Sequence, residues 1–240
     1  MNNVYSMMIK FLRSWLMALA CAVGLNSYAQ DEIQTVAKAD ILSQYMWRGQ
    51  EMGATSFQPA LGIEWKGFSL VGGANIGISD KTDPKELDIT AQYTLGNFRF
   101  GLVDYWSDSP NTRYLYYDAH STSHVFEAFV GYDFGIVDAS WQTNFAGQDY
   151  QTADGKRAYS SYVELTAPFK LANFQWEAQL AFVPWKSDYY HTTGFAVTNV
   201  NLKAIKNIRL TEHFALPVFA QVVANPCSQK TYIVFGLTIE

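Results

Sequence analysis

A period-two alternation of apolar and polar residues recurs in stretches of about ten residues along most of this chain, and it constrains the fold more than any other feature. Within 57–66, Phe57, Pro59, Leu61, Ile63 and Trp65 fall on one face, and Gln58, Ala60, Gly62, Glu64 and Lys66 on the other. Within 86–95, Leu87, Ile89, Ala91, Tyr93 and Leu95 oppose Asp88, Thr90, Gln92 and Thr94. Within 173–185, Phe174, Trp176, Ala178, Leu180 and Phe182 oppose Gln175, Glu177, Gln179 and Ala181. Side chains on a strand point alternately to its two faces, so each stretch makes a strand with one apolar and one mixed face. Twelve such strands are expected, at 39–49, 57–66, 68–79, 86–95, 97–107, 123–134, 136–146, 158–169, 173–185, 194–204, 213–224 and 230–240.

Taken singly, this alternation also suits a soluble sandwich. Three further features favour a membrane barrel. The strands are about ten to thirteen residues long, against five or six in globular sheets, and match a tilted membrane strand. The links alternate between short and long. Lys66–Gly67, Gly96–Asn97, the glycine at 135 and residues 170–173 are brief, whereas 50–56, 80–85, 108–122, 147–157, 186–193 and 225–229 are longer and polar; 205–212 is the exception. The strand count is even, which puts both termini on the periplasmic side of a bacterial outer membrane. The expected fold class is therefore all-β: an antiparallel up-and-down transmembrane β-barrel of about 12 strands. Trp65, Tyr93, Trp106, Tyr132, Trp141 and Tyr159 suit interfacial girdles. Pro59, Pro184 and Pro217 mark bulges or strand ends, and Asp104 is out of place on an otherwise apolar face.

Composition agrees. Aromatic and charged residues each make up 16% of the chain, and the mean hydropathy of −0.08 is far below that of a helical membrane protein. A barrel hides its hydrophobicity by interleaving it with polar residues. Residues 1–29 read as a secretory signal peptide. Lys10 and Arg13 precede the apolar run LMALACAVGL, and Ser27-Tyr28-Ala29 forms a small-x-small cleavage site. The barrel domain would then be 30–240. Cys21 leaves with the signal, so Cys227 has no intramolecular partner. Removing the signal leaves 15 basic against 22 acidic residues, a net charge of −7. That argues against a nucleic-acid partner. Four histidines and no spaced cysteines argue against a zinc site, and no metal or cofactor is expected.

Ser43-Gln44-Tyr45-Met46-Trp47-Arg48-Gly49, followed by Phe57-Gln58-Pro59-Ala60 and the turn Trp65-Lys66-Gly67-Phe68, resembles the opening of the TorF-like porins, small outer-membrane barrels. Their first strand carries Y-x-W/F-R-G, and a Q-P/G strand follows. The match covers about 30 residues and implies the barrel more than any transported solute. Composition also suits a Bacteroidetes-type envelope. Many outer-membrane barrels end in an aromatic residue read by the assembly machinery, and here Phe235 or Ile239 stands nearest to that role.

Chemistry is concentrated on the mixed face. Glu64, Lys66, Asp88, Arg99, Glu127, Asp133, Asp138, Glu164 and Glu177 are expected to face the lumen, with Arg48 as a partner for the carboxylates. Acidic groups dominate, which favours cations. A narrow channel for small polar or cationic solutes follows. Twelve strands, however, fall below the 16–18 of an open aqueous porin, so a filled, non-conducting ligand-binding or structural barrel stays open. Tyr114, Tyr116, Tyr117, His120 and His124 in the third long link are candidate binding residues. Ser121, Ser123, His120 and His124 would serve a lipid-modifying hydrolase at the rim, but no nucleophile motif surrounds them, and a solvated loop has the same composition. Expected partners are outer-membrane lipids, the assembly machinery and small polar solutes.

Overall fold

The computed structural model describes residues 32–240, apart from 81, 84, 109–112, 120, 153 and 213. The expected signal peptide at 1–29 lies outside the described residues. Among the described residues there are fourteen strands: β1 (Gln34–Leu42), β2 (Tyr45–Trp47), β3 (Gln50–Gly53), β4 (Ser56–Trp65), β5 (Phe68–Gly77), β6 (Glu86–Leu95), β7 (Phe98–Ser107), β8 (His124–Asp133), β9 (Asp138–Gly147), β10 (Ser161–Leu171), β11 (Phe174–Val183), β12 (Ala196–Arg209), β13 (Ala215–Asn225) and β14 (Lys230–Ile239). Twelve of them form a closed antiparallel barrel in sequence order, in which β1 pairs with both β4 and β14. Closure gives every wall strand a paired neighbour on both edges, as lipid requires of a spanning sheet. The strands β2 and β3 form a separate two-stranded sheet.

Short links join β4–β5, β6–β7, β8–β9, β10–β11 and β12–β13 at one end, where both ends of the barrel chain also emerge. We call this the turn end and the opposite rim the loop end. Five of the six links at the loop end are longer than these turns; the sixth is the four-residue turn between β13 and β14.

Two of the expected elements need correction. The first wall strand is Gln34–Leu42, earlier than 39–49, and Tyr45–Trp47 is not in the wall. Leu42 pairs with Ser56, the first residue of β4, so the ladder with β4 has ended before the Tyr-Met-Trp segment begins. The strand at 194–204 in fact continues to Arg209, removing most of the expected link 205–212. Lys206 at this end is polar but still in the ladder, donating to the Asn173 carbonyl (2.9 Å). The proline at 59 interrupts the β4–β5 ladder: pairing runs from Phe57–Ile76 to Ala60–Gly73 with no pairs between. Pro184 follows the end of β11, and Pro217 stays within β13, paired with Asn207.

The two faces of the wall are inside-out relative to a soluble sheet. Leu61, Ile63, Leu70, Leu95, Phe100, Leu102, Val130, Leu180, Ile233 and Phe235 are large, apolar and exposed on the outer face. Soluble monomers do not expose an apolar belt of this extent. Of the buried side chains among the described residues, fifteen are polar or charged and ten are apolar. This distribution distinguishes a barrel of the outer-membrane type from a sandwich.

Glycines on the inner face make room for large neighbours. A Cβ at Gly101 would lie 2.3 Å from the Ala91 carbonyl oxygen and 2.8 Å from the Phe129 ring, and one at Gly236 would lie 2.3 Å from the Phe219 ring. Phe129 and Phe219 thus occupy lumen space that a wall of ordinary residues would deny them. Changing Gly101→Val is expected to destabilise the barrel by about 1–3 kcal/mol through overpacking. The outward Gly72→Val, where a Cβ meets nothing closer than 3.9 Å, should be nearly neutral. Loss of the heat-modifiable band of the folded barrel on gels, or a lowered urea midpoint in detergent, for Gly101→Val alone would show this.

Candidate functional site

The segment 43–55 follows β1 and leads into β4, and it folds inward as the hairpin β2–β3. Its base is tied to the rim, with Ser43 N donating to the Phe235 carbonyl (2.8 Å) and Ala54 N to Asp83 (2.8 Å). The tip turns through Arg48 (φ +51°) and Gly49 (φ +79°). Only glycine fits at 49: a Cβ there would sit 2.0 Å from the Thr198 carbonyl oxygen. Asn225 Nδ2 donates to the Gly49 carbonyl (3.1 Å), so the tip touches both β12 and β13.

Arg48 reaches across the lumen to β8. Its Nη1 and Nη2 donate to the two carboxylate oxygens of Glu127 at 2.6 and 2.7 Å, a bidentate pair. Nη1 also donates to the Tyr190 hydroxyl (2.6 Å), and the Tyr105 hydroxyl donates to Glu127 (3.2 Å). The guanidinium lies 4.6 Å from the Trp47 ring centre and 4.8 Å from that of Tyr162. Trp47 meets Tyr105 and Tyr189 edge-on and stacks with Tyr190. The side chains of Arg48 and Glu127 are only 12% and 1% exposed, so the pair is essentially dry.

Burial by itself would lower the Arg48 pKa, but the adjoining Glu127 carboxylate more than offsets this and holds it well above the ordinary value. Burial likewise raises Tyr190, against the opposing pull of Arg48, and its hydroxyl remains a neutral acceptor. On the other side of the hairpin, the Tyr45 hydroxyl donates to Glu86 on β6 (2.6 Å), and burial followed by this carboxylate pushes its pKa up.

The two register shifts in the wall lie at the level of the plug. One falls between Phe126 and Glu127 in the β8–β9 ladder and the other between Ala181 and Phe182 in the β11–β12 ladder. Each inserts a residue and re-aims the strand. The extra residues are Phe145 in β9, across from Glu127, and Thr198 in β12, whose carbonyl faces Gly49.

Below the plug the lumen is polar and increasingly solvent-exposed towards the turn end. Asn201 Nδ2 donates to Gln179 (3.0 Å), while Tyr162 and Thr166 hydroxyls donate to Glu164. Lys203 lies 4.2 Å from the Phe219 ring centre and pairs in register with Glu177. Arg99 and Asp138 form a bidentate pair across β8. Gln142, Gln179 and Asn201 are half-buried, and Gln175 and Asn207 are exposed.

The expected lumen residues therefore occupy different levels. Arg48 enters from the inward hairpin and not from a wall strand. Glu127 and Asp88 lie near the loop end, and Glu164 and Glu177 farther down. Arg99, Asp138 and Glu64 lie towards the turn end, with Asp133 at its rim, where it accepts from Gly135 N (2.7 Å). Lys66 is not on the wall: it is in the β4–β5 turn with φ +49°, its ammonium 5.2 Å from the Trp65 ring centre. Tyr105, Tyr162 and Tyr190 complete the plug's binding site but carry no motif in the sequence. The mixed-face position of Tyr105 and Tyr162 was the available signal.

Tyr114 and Tyr117 of the third long link lie over the outer face. His124 is fully buried there, with Nδ1 2.7 Å from Asp104 and Nε2 2.5 Å from the Tyr114 carbonyl. Tyr117 packs on its ring at 4.4 Å, and Trp106 meets Tyr114 edge-on. The misplaced carboxylate of Asp104 is thus the partner of this histidine. Tyr116 donates to Asp118 (3.1 Å) within the link, and His120 lies outside the described residues. Among the described residues no group of acidic, histidine or cysteine side chains is arranged to hold a metal ion.

No family model matches the chain, and no curated protein matches it. Among solved structures it is similar to an outer membrane channel from Pseudomonas putida F1, at 13% identity and a TM-score of 0.39, over 89% of this chain and 98% of that one.

Removing one partner of a buried pair strands a charge and typically costs about 3–5 kcal/mol, whereas replacing both with apolar side chains is often close to neutral. Arg48→Met is therefore expected to lower the unfolding free energy in detergent by several times more than Arg48→Met combined with Glu127→Met. Equal losses in the two proteins, measured by urea titration, would contradict this account of the plug.

Proposed function

We propose that the protein is a narrow outer-membrane channel for small polar solutes, preferring cations, with both barrel termini periplasmic and its path closed at the loop end by the hairpin β2–β3. One observation carries this reading. The hairpin is a sheet of its own, held in the lumen by side chains and not by the hydrogen-bond ladder of the wall. It can therefore withdraw without opening the barrel. Beneath it lies a lumen lined by Gln, Asn, Thr and charged residues, a surface suited to water and solute and unsuited to a dry core. The resemblance of the hairpin residues Tyr45 to Gly49 to the opening of TorF-like porins supports the barrel and not a particular solute.

The charge distribution supports cation preference. With the hairpin in place, Arg48 balances Glu127. Without it, the wall at this level presents Glu86, Asp88 and Glu127 against the exposed Lys230, while the other inward bases lie lower, Lys38 and Lys203 near mid-height and Arg99, Lys170 and Arg209 towards the turn end. Withdrawal of the plug thus takes Arg48 from this level and leaves a more strongly acidic constriction, which concentrates cations.

The rim-hydrolase reading has less support. Both ring nitrogens of His124 already face acceptors, Asp104 and the Tyr114 carbonyl, so neither is free to take a proton from a serine. We read this pair as the anchor of the third long link on the outer wall.

In planar bilayers the wild-type protein should be mostly closed, with brief cation-selective openings. Arg48→Ala and Gly49→Val, each disturbing the hairpin tip, should raise the open probability at least tenfold, and a KCl gradient should give a reversal potential of cationic sign. If both variants fold, as judged by heat-modifiable migration, and neither conducts, the channel reading fails.

A further inference from the structure

The mouth of the barrel, on the outer side of the hairpin, contains a cavity of about 530 Å³ between the hairpin, the link after β9 and the link after β11. It is lined by Trp47, Glu51, Gln148, Asp149, Tyr150 and Tyr189 among others, with no lysine or arginine in the lining. Tyr150 and Tyr189 meet edge-on at 6.2 Å, and Trp47 packs on Tyr189 at 5.9 Å, so three aromatic rings are contiguous along it.

Asp149 gives this cavity its chemistry. The residue is only 5% exposed. Its Oδ2 accepts from Ser160 N (3.3 Å), while Oδ1 is buried with no hydrogen-bond partner among the described residues. A buried carboxylate oxygen left without a donor is costly, and native structures rarely leave one so. Glu51, on the hairpin, is by contrast already engaged by Gln44 (2.7 Å) and the Tyr232 hydroxyl (3.2 Å). The cavity lining therefore holds a carboxylate with one unsatisfied oxygen, a second carboxylate and aromatic rings, with His191 as its only basic side chain.

We infer that this cavity is a binding site for an ammonium-bearing organic solute, its cationic nitrogen taken by Asp149 and packed against the aromatic rings of Tyr150, Tyr189 and Trp47. Carboxylate and aromatic faces both attract such a cation, and a desolvated setting strengthens each contribution. A neutral sugar would also stack on tyrosines, but it gives no reason for two carboxylates to line the site without a lysine or arginine. The site is in the loop-end mouth, outside the plug, and occupancy does not require the lumen to conduct.

The test is binding to the full folded barrel in detergent, by isothermal titration with choline as cationic probe, maltose as neutral probe and succinate as anionic probe. Choline should bind, and succinate and maltose should not. Asp149→Asn, which keeps an acceptor for Ser160 N–H but removes the charge, should weaken choline by about tenfold or more. Tyr150→Ala, at a half-exposed position, should weaken it severalfold and decides the matter if Asp149→Asn does not fold. No choline binding, choline binding indifferent to these changes, or Asp149-dependent binding of maltose in its place would each overturn the inference. Because the measurement is made without a membrane, a barrel that binds choline but never conducts would sink the channel reading and leave this one standing.

Discussion

Closure of the hydrogen-bond ladder is the constraint on which the rest of the structure depends. In hydrocarbon a strand edge has no water to satisfy it, so β1 must find β14, and it does so through the pairing of Ala39 to Leu42 with Ile239 to Gly236. Once the ring is closed, the faces are no longer free. Leu61, Phe100 and Ile233 go outward because lipid is there, and Glu64, Arg99 and Thr238 go inward because nothing else will take them. The interior of a twelve-stranded ring is then a polar space too wide for the wall side chains to fill, which Phe129 and Phe219 partly occupy opposite glycines.

The upper part of that space is filled by another means. The hairpin brings an arginine to Glu127 and aromatic rings to surround it, so that Tyr162 and Glu127, among the largest buried side chains, lie near the loop end. A buried ion pair is weak as a source of stability but exacting in its geometry. Here it fixes one position for a segment that shares no ladder with the wall. The same exchange of strength for position is seen outside the lumen, where Asp104 and His124 hold a tyrosine-rich link against the outer face.

Most of the wall was legible in the sequence because its period-two pattern depends on burial alone. The strand at 86–95 has the expected bounds, and β14 differs by its last residue. Failure came where pattern and partner diverge. Tyr45, Met46 and Trp47 do form a strand, but alternation cannot say which sheet a strand joins, and these three belong to the hairpin. The motif that resembles the opening strand of a porin is thus the plug. At the other end of the barrel the ladder runs on past the apolar belt to Arg209, where polar residues at the turn end look like a loop. Of the site, Arg48 and Glu127 stood out as charges that needed partners, yet their pairing spans 79 positions, which no local pattern discloses. Asp149 was invisible for a related reason: an acidic residue in a polar link looks solvated until the fold buries it.

The plug and the acidic wall are best understood together. A permanent salt-bridged filling would be an expensive way to make a solid core, since apolar side chains of the same volume would do as well or better. Glu86 and Asp88 sharpen the point. Glu86 is met by the Tyr45 hydroxyl from the hairpin, yet one oxygen of Asp88 has no partner among the described residues. Carboxylates placed around a removable segment, and satisfied only in part while it is present, are costly to a static structure. They become intelligible if the segment leaves and water and cations take its place, for then the same groups that strain the closed state line the open one.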